Sequence, residues 1–171
     1  MYNSKFGFRH FLLAVSVLFS LINPIYAQNK SSHFLTIGGE VTTSLKLSME
    51  DLKKFPHTEL VVTGMDGEVD KYGGVNLFEL LVAAGVTLGK DLRGENLVKF
   101  LLLQASDGYE VIFSLPEIDP EFTRNQVLVA YQLDGKPLPP GTGPFRIVAP
   151  ADKKPARWIR ELSSIQVLFS K

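Results

Sequence analysis

The sequence predicts an α+β domain built on mixed or antiparallel β-sheets with a few short helices. Many short segments rich in β-branched and aromatic residues are separated by Gly, Pro and Asp-Gly turn signals. A few other segments combine a helix-capping residue with apolar residues at helical spacing. No internal repeat or low-complexity tract is present. Many short strands together with few helices are typical of the α+β class.

The first predicted elements are two short strands and a short helix. The strands are expected at Phe34–Ile37 and Ser44–Leu47. Ser48 can cap the helix that follows, and Asp51 lies three residues further on, as in a capping box. Pro56 marks the end of this segment.

A hairpin and a second helix come next. Thr58–Thr63 and Val69–Tyr72 are predicted strands, and Asp66-Gly67 between them is a hairpin signal. Asn76 can cap a helix over Leu77–Ala84, because its leucines fall on one helical face and a glycine follows it.

The second half of the chain is predicted to be mostly strands. Asp-Gly pairs mark its turns, and Pro116–Pro120 is expected to form a short helix or turn. Pro137–Pro144 and Ala149–Ala156 are expected to be irregular loops. The predicted strands are Leu97–Gln104, which is expected to be fully buried, Tyr109–Phe113, Val127–Leu133, Phe145–Val148 and Ile159–Phe169.

The beginning of the chain has the three-part layout of a secretory signal peptide. Lys5 and Arg9 are basic, Phe11–Ile22 is apolar, and Ala27 is a small residue at the expected cleavage position. The apolar run is too short for a stable membrane span, although an uncleaved N-terminal anchor is the alternative. The sequence therefore predicts a periplasmic or secreted protein. The predicted boundaries are 1–27 for the signal peptide, 28–33 for a flexible lead-in and 34–171 for one globular domain.

Composition excludes several classes of function. The chain has 18 basic and 18 acidic residues, and the predicted signal removes Lys5 and Arg9 but no acid. The resulting slightly acidic domain gives no reason to expect a nucleic-acid partner. The chain has no cysteine, which excludes thiolate nucleophiles, thiolate metal ligands and a lipid-modified cysteine. Only two histidines remain after the predicted signal, and no metal site is predicted.

One cluster of cations surrounds the single tryptophan. Lys153, Lys154, Arg157 and Arg160 lie close to Trp158 in the sequence. Such a cluster can bind a phosphate or another small anion, with the indole as an apolar wall. The alternative is a solvated loop beside a tryptophan of the core.

A pair of glycines is the second candidate. Gly73-Gly74 follows Tyr72, and glycines allow a ligand or another backbone to approach closely. A tight turn between a strand and a helix explains the pair equally well.

Several segments together resemble the sulfite oxidase-type oxidoreductase molybdopterin-binding domain family. The resemblance runs from about Phe34 to Phe169, and its Pro-rich run is the most specific part. The segments that carry it are Tyr72–Val75 with Leu77–Leu81 and Ala84–Val86, Ser106–Tyr109 with Phe113–Leu115, Leu128–Tyr131, Asp134–Pro140, Gly143–Val148 and Ala156–Arg160.

This resemblance implies a sulfite oxidase-like fold whose loops hold molybdopterin. Active members of the family oxidise or reduce a small oxyanion or sulfoxide. By this resemblance the basic side chains would hold a phosphate or anion, two aromatic side chains would line the pocket, and a turn would shape its mouth. The residues in these three groups are Lys153, Lys154, Arg157 and Arg160; Trp158 and Tyr109; and Asp107 with Gly73 and Gly74.

The chain departs from the family at the molybdenum ligand. Active members bind molybdenum through a cysteine, and the corresponding region Val62–Met65 has none. Thr63 is a harder and far less acidic ligand than a thiolate. The sequence therefore leaves open whether the chain is an enzyme, and it assigns no catalytic residue. The first hypothesis is a small, single-domain protein that binds a pterin or another anion without a cysteine ligand to molybdenum. The alternative is a cofactor-free accessory module that binds a periplasmic protein.

Overall fold

The structure is a computed structural model that describes residues 33–64 and 67–170. The predicted signal peptide and residues 28–32 of the predicted lead-in lie outside the described residues. Met65 and Asp66, in the predicted hairpin turn, lie outside them as well.

Strands make up most of the regular structure in the described residues. In chain order they are β1 (Leu35–Gly39), β2 (Leu45–Leu47), β3 (His57–Thr63), β4 (Val69–Asn76), β5 (Lys99–Ala105), β6 (Glu110–Ser114), β7 (Leu128–Leu133), β8 (Lys136–Pro137), β9 (Arg146–Val148) and β10 (Leu162–Phe169).

These strands form two sheets, which confirms the predicted α+β class. The first sheet has the order β2-β1-β10-β5-β6. It is mixed, because β1 pairs with β10 in parallel while its other pairs are antiparallel. The second sheet has the order β3-β4-β7-β8, and β9 also pairs with β7; all of these pairs are antiparallel.

Both predicted α-helices form with their predicted caps. In α1 (Met49–Leu52) the Ser48 hydroxyl accepts from the Asp51 backbone N–H at 3.2 Å, and the Asp51 carboxylate accepts from the Ser48 backbone N–H at 3.1 Å. In α2 (Leu77–Ala84) the Asn76 side chain accepts from the Phe78 backbone N–H at 3.0 Å. Short 3-10 helices lie at Gly89–Asp91, Gly94–Val98, Leu115–Glu117 and Pro155–Arg157. None of the described helices has the length and apolar character needed to cross a membrane.

The expectation of a fully buried strand over Leu97–Gln104 is wrong. Leu97 and Val98 belong to a 3-10 helix and are 43% and 44% exposed. Within β5, Leu101 and Leu103 are buried while Gln104 is exposed. The strand alternates because one face of the first sheet packs on the core and the other face is open.

The buried apolar residues form two clusters on opposite faces of the second sheet. The larger cluster joins both sheets and α2, and Val129 of β7 belongs to it. The smaller cluster contains Leu128 and Ala130, the neighbours of Val129 along β7, together with Tyr72 and Val148. The half-buried Trp158 packs against both clusters. It therefore lies where the two apolar regions meet.

Gly73 and Gly74 lie inside β4 and do not form a turn between a strand and a helix. They pair with β3 on one side and with β7 on the other. A Cβ at Gly74 would overlap the Val129 carbonyl oxygen and would lie 2.7 Å from the Ala130 Cα. The close approach that this glycine permits is therefore to the backbone of β7.

We expect Gly74→Ala to destabilise the protein by at least about 2 kcal/mol, because the new methyl group would push β7 away from β4. The measurement is the free energy of unfolding from urea titration. Gly38→Ala is the matched control, since Gly38 also lies inside a strand, has no left-handed backbone conformation, and would place its Cβ 3.3 Å from the flexible end of the Gln166 side chain. An unfolding free energy of Gly74→Ala equal to that of the control would contradict this packing.

Candidate functional site

A cleft of about 510 Å³ opens where β5 ends and β10 begins. It lies between the β5–β6 turn and the segment that precedes β10. We name it the Trp158 cleft. Its lining includes Asp107, Tyr109, Gly141, Trp158, Arg160 and Glu161. Its volume is within the range of about 300–1,000 Å³ that is typical of small-molecule sites.

Four of the nine predicted site residues therefore line one cleft, namely Asp107, Tyr109, Trp158 and Arg160. Lys153 and Lys154 lie on the loop just before them, where both are exposed and form no hydrogen bond or ion pair with the described residues. Gly73 and Gly74 lie in β4 and are not part of its lining. Binding of a ligand by any of these residues stays a prediction.

Tyr109 joins the β5–β6 turn to the facing loop. Its backbone N–H donates to the Asp107 carboxylate at 2.9 Å, and Gly108 between them has a φ of 88°. The Tyr109 hydroxyl donates to the Ala156 carbonyl oxygen at 3.0 Å. This hydrogen bond fixes the distance between the two walls of the cleft.

Trp158 is fixed by polar and aromatic contacts. Its indole N–H donates to the Ala149 carbonyl oxygen at 2.9 Å. Its ring meets the Tyr72 ring edge-on, with centroids 6.2 Å apart and an interplanar angle of 89°. The indole is therefore a rigid wall of the cleft.

Arg146 packs against the rings of Tyr72 and Trp158 and is not among the residues that line the cleft. Its Nε is buried without a hydrogen-bond partner, and its Nη1 donates to the Tyr72 hydroxyl at 3.3 Å. Its guanidinium carbon lies 5.2 Å from the Tyr72 ring centre and 5.9 Å from the Trp158 ring centre. No carboxylate of the described residues forms an ion pair with it. A half-buried guanidinium of this kind can accept an anion.

Arg160 adds a second positive charge near the first. Its side chain lines the Trp158 cleft and forms no ion pair with the described residues. Burial lowers the pKa of Arg146, the charges of Tyr72 and Asp70 raise it, and the positive charge of Arg160 lowers it.

The guanidinium of Arg157 is held by ion pairs and hydrogen bonds within the protein. Its guanidinium donates to Asp152 at 2.6 and 3.0 Å and to Glu117 at 2.9 Å. It also donates to the Ile112 carbonyl oxygen at 3.2 Å and lies 4.1 Å from the centre of the Phe113 ring. The pKa of Arg157 is raised, mainly by its hydrogen bond with Asp152. These contacts tie the loop that precedes Trp158 to the edge of the first sheet.

Glu117 is one of the two carboxylates that pair with Arg157. Burial alone would raise the pKa of Glu117, but the Ser114 backbone N–H, Arg157 and the Ser114 hydroxyl together lower it. The folded protein therefore favours the ionised carboxylate that pairs with Arg157.

The residues that the structure describes contain no group of three or more His, Cys, Asp or Glu side chains able to hold a metal ion. Thr63, in the region that corresponds to the family's cysteine, is exposed at the end of β3. The donor set near the cleft consists of guanidinium groups, one phenol and carboxylates, and it contains no thiolate.

Arg146 is the residue that sequence reasoning missed. It lies between Phe145 and Ile147 in a short strand, where alternation predicts an outward-facing polar residue. The sequence contains no signal that the smaller apolar cluster and Trp158 would cover this outward face.

The comparison with family models identifies one family for this chain. The model of the family described as "Oxidoreductase molybdopterin binding domain" matches residues 22–170. Among solved structures, the chain is similar to the sulfane dehydrogenase SoxCD from Paracoccus pantotrophus, with a TM-score of 0.62 and 21% identity. That match covers 79% of this chain and 38% of the other chain, so this chain spans well under half of its length. No match is found among curated proteins.

We expect Arg157→Gln to lower the free energy of unfolding by roughly 1–2 kcal/mol at pH 7, because two half-exposed carboxylates lose their partner. Since the pKa of Glu117 is lowered in the folded protein, its contribution is present above the ordinary carboxyl pKa. It is lost as the pH falls through the lowered value. The difference between variant and wild type should therefore shrink below about pH 4.

Urea unfolding at pH 7 and at pH 3.5 measures this difference. Arg124→Gln is the control, because it removes the same charge from an exposed side chain that has no partner among the described residues. A difference between Arg157→Gln and wild type that does not change with pH would contradict the role given to Glu117.

Proposed function

This chain belongs to the oxidoreductase molybdopterin-binding domain family, and on that premise we propose that it binds a pterin or a similar anionic ligand in the Trp158 cleft. The observation that carries the proposal is Arg160, which lines the cleft beside Trp158 and Tyr109 and has no ion-pair partner among the described residues. Arg146 packs against the Trp158 ring and adds positive charge next to the cleft. Guanidinium groups are the preferred protein ligands of phosphate and other oxyanions.

The pterin part of the cofactor fits the residues present. Trp158 and Tyr109 offer aromatic walls for a planar ring, and Arg160 offers donors for a phosphate. The cofactor supplies redox chemistry when it is bound, and the protein's part is to hold and orient it.

Molybdenum held by the protein does not fit. The chain has no cysteine, so no thiolate is available as a ligand. The proposal therefore stops at ligand binding and includes no catalytic step at a metal bound to the protein.

We further propose that the protein acts in the periplasm or outside the cell. This rests on the basic, apolar and small-residue pattern of residues 5–27. Detection of the mature chain, beginning at residue 28, in the periplasmic fraction of a bacterial host would support export.

A cofactor-free accessory module is the second candidate, and an exposed apolar patch favours it. Val61 in β3 and Val69 in β4 are 66% and 62% exposed on neighbouring strands. A partner protein could cover them.

The first experiment is the pterin and molybdenum content of the protein, purified from a host that makes molybdenum cofactor. The full chain, with its own leader, is expressed so that loading and export occur together. We expect about one pterin per chain, measured by fluorescence after oxidation. Absence of both pterin and molybdenum would contradict the proposal and favour the accessory module. Molybdenum in equal amount would contradict the exclusion of the metal.

We expect Arg160→Gln to weaken binding of a pterin monophosphate by about 10- to 100-fold, because a charged hydrogen bond to the phosphate is lost. Quenching of Trp158 fluorescence measures the affinity, since Trp158 is the only tryptophan. Arg93→Gln removes the same charge from an exposed side chain outside the cleft and should bind like wild type. Equal affinities of Arg160→Gln and wild type would show that the phosphate binds elsewhere.

A further inference from the structure

We propose that Glu161 selects ligands that carry a 2-amino-4-oxopyrimidine edge, the hydrogen-bond donor face shared by pterins and guanine. The inference rests on the proposed function, because it concerns the same Trp158 cleft. It adds the edge of the ligand that is recognised and the residue that recognises it.

Glu161 lines the cleft next to Arg160. Its φ of 48° is in the left-handed region, which is uncommon for a residue other than glycine. Its N–H donates to the Thr142 carbonyl oxygen at 3.0 Å, and its carbonyl oxygen accepts from the Ser106 N–H at 3.0 Å. These two hydrogen bonds fix the backbone of Glu161 at the edge of the cleft.

The carboxylate of Glu161 is half-buried and has no cation paired with it among the described residues. Ser106 donates its hydroxyl to one oxygen, Oε2, at 3.2 Å, which leaves Oε1 without a donor from those residues. The protein pairs its half-buried Asp152 with Arg157, but it does not pair Glu161 with the adjacent Arg160. A charged group left in this state inside a cleft is available to a ligand.

Asp107, the other carboxylate of the cleft, has a sufficient structural role. It is exposed, and it accepts the backbone N–H of Tyr109 at 2.9 Å within its own turn. We therefore assign ligand selection to Glu161 and formation of the turn to Asp107.

The cleft thus offers an acceptor, an anion site and aromatic walls to one ligand. A 2-amino-4-oxopyrimidine presents a ring N–H and an amino group side by side, and a carboxylate can accept both. Arg160 would hold the phosphate, and Trp158 with Tyr109 would pack on the ring. A lumazine has a carbonyl in place of the 2-amino group. That carbonyl would face the carboxylate with a second acceptor, which costs binding energy.

The experiment compares three probes on the purified full chain by quenching of Trp158 fluorescence. They are a pterin monophosphate, the lumazine that differs only at the 2-position, and guanosine monophosphate. We expect wild type to bind the pterin at least about 10-fold more tightly than the lumazine. Glu161→Gln should reduce that ratio to about 1–2, because the amide can donate to the lumazine carbonyl.

Two further variants keep the result interpretable. Glu95→Gln makes the same change at an exposed side chain outside the cleft and should keep the wild-type ratio. Ser106→Ala removes the donor that orients the Glu161 carboxylate and should lower the ratio by about 2- to 5-fold. Melting temperatures equal to wild type show that the variants are folded.

The outcomes separate this inference from the proposed function. If no probe binds wild type, the proposed function fails. If the pterin and the lumazine bind equally, Glu161→Gln leaves both affinities unchanged and Arg160→Gln abolishes binding, the role of Glu161 is overturned while the proposed function stands. Tighter binding of guanosine monophosphate than of the pterin that is lost in Glu161→Gln would support Glu161 as the selecting residue and identify a nucleotide as the ligand, whereas the same tight binding in Glu161→Gln would overturn the role of Glu161.

Discussion

The ion pairs of Arg157 with Asp152 and Glu117 are the interaction on which the candidate site depends. Residues 149–157 form no sheet ladder, so side-chain contacts hold this segment in place. Arg157 ties it to the edge strand β6 and to the 3-10 helix that follows β6. Trp158 comes directly after this anchor, and the indole N–H closes the loop on Ala149. This anchor acts together with the hydrogen bonds of Trp158 with Ala149 and of Tyr109 with Ala156 to position the aromatic wall of the cleft.

Several charged side chains in and beside the cleft lack ion-pair partners among the described residues. A half-buried charge without a partner costs free energy, and proteins usually pair it. Arg157 follows that rule, whereas the half-buried Arg146 and Glu161 do not, and the exposed Arg160 also lacks an ion-pair partner among the described residues. The rings of Tyr72 and Trp158 compensate Arg146 in part through cation–π contacts. The accumulation of unpaired charges of both signs around one cleft is what a polar ligand with an anionic end requires.

The chain also shows how far a fold can be separated from the chemistry of its family. The chain matches the family model over residues 22–170, but it has no cysteine to supply a thiolate ligand to the metal. A fold does not determine a function, and each site must be judged from its own side chains. Here those side chains favour recognition of a ligand over catalysis at a metal. Residues placed for binding, such as Arg160, do not require the missing cysteine.

Local sequence determined most elements of this protein. The capping box of Ser48 with Asp51, the cap at Asn76 and the Asp-Gly turns depend on residues two to four positions apart, so they can be read without the fold. Tertiary structure decided the rest. The open face of β5, the packing of Gly74 on β7, and the partners of Arg157 and Arg146 depend on segments distant in sequence. Composition identifies a basic cluster around a tryptophan, but only packing decides which cations acquire carboxylate partners and which remain available for a ligand.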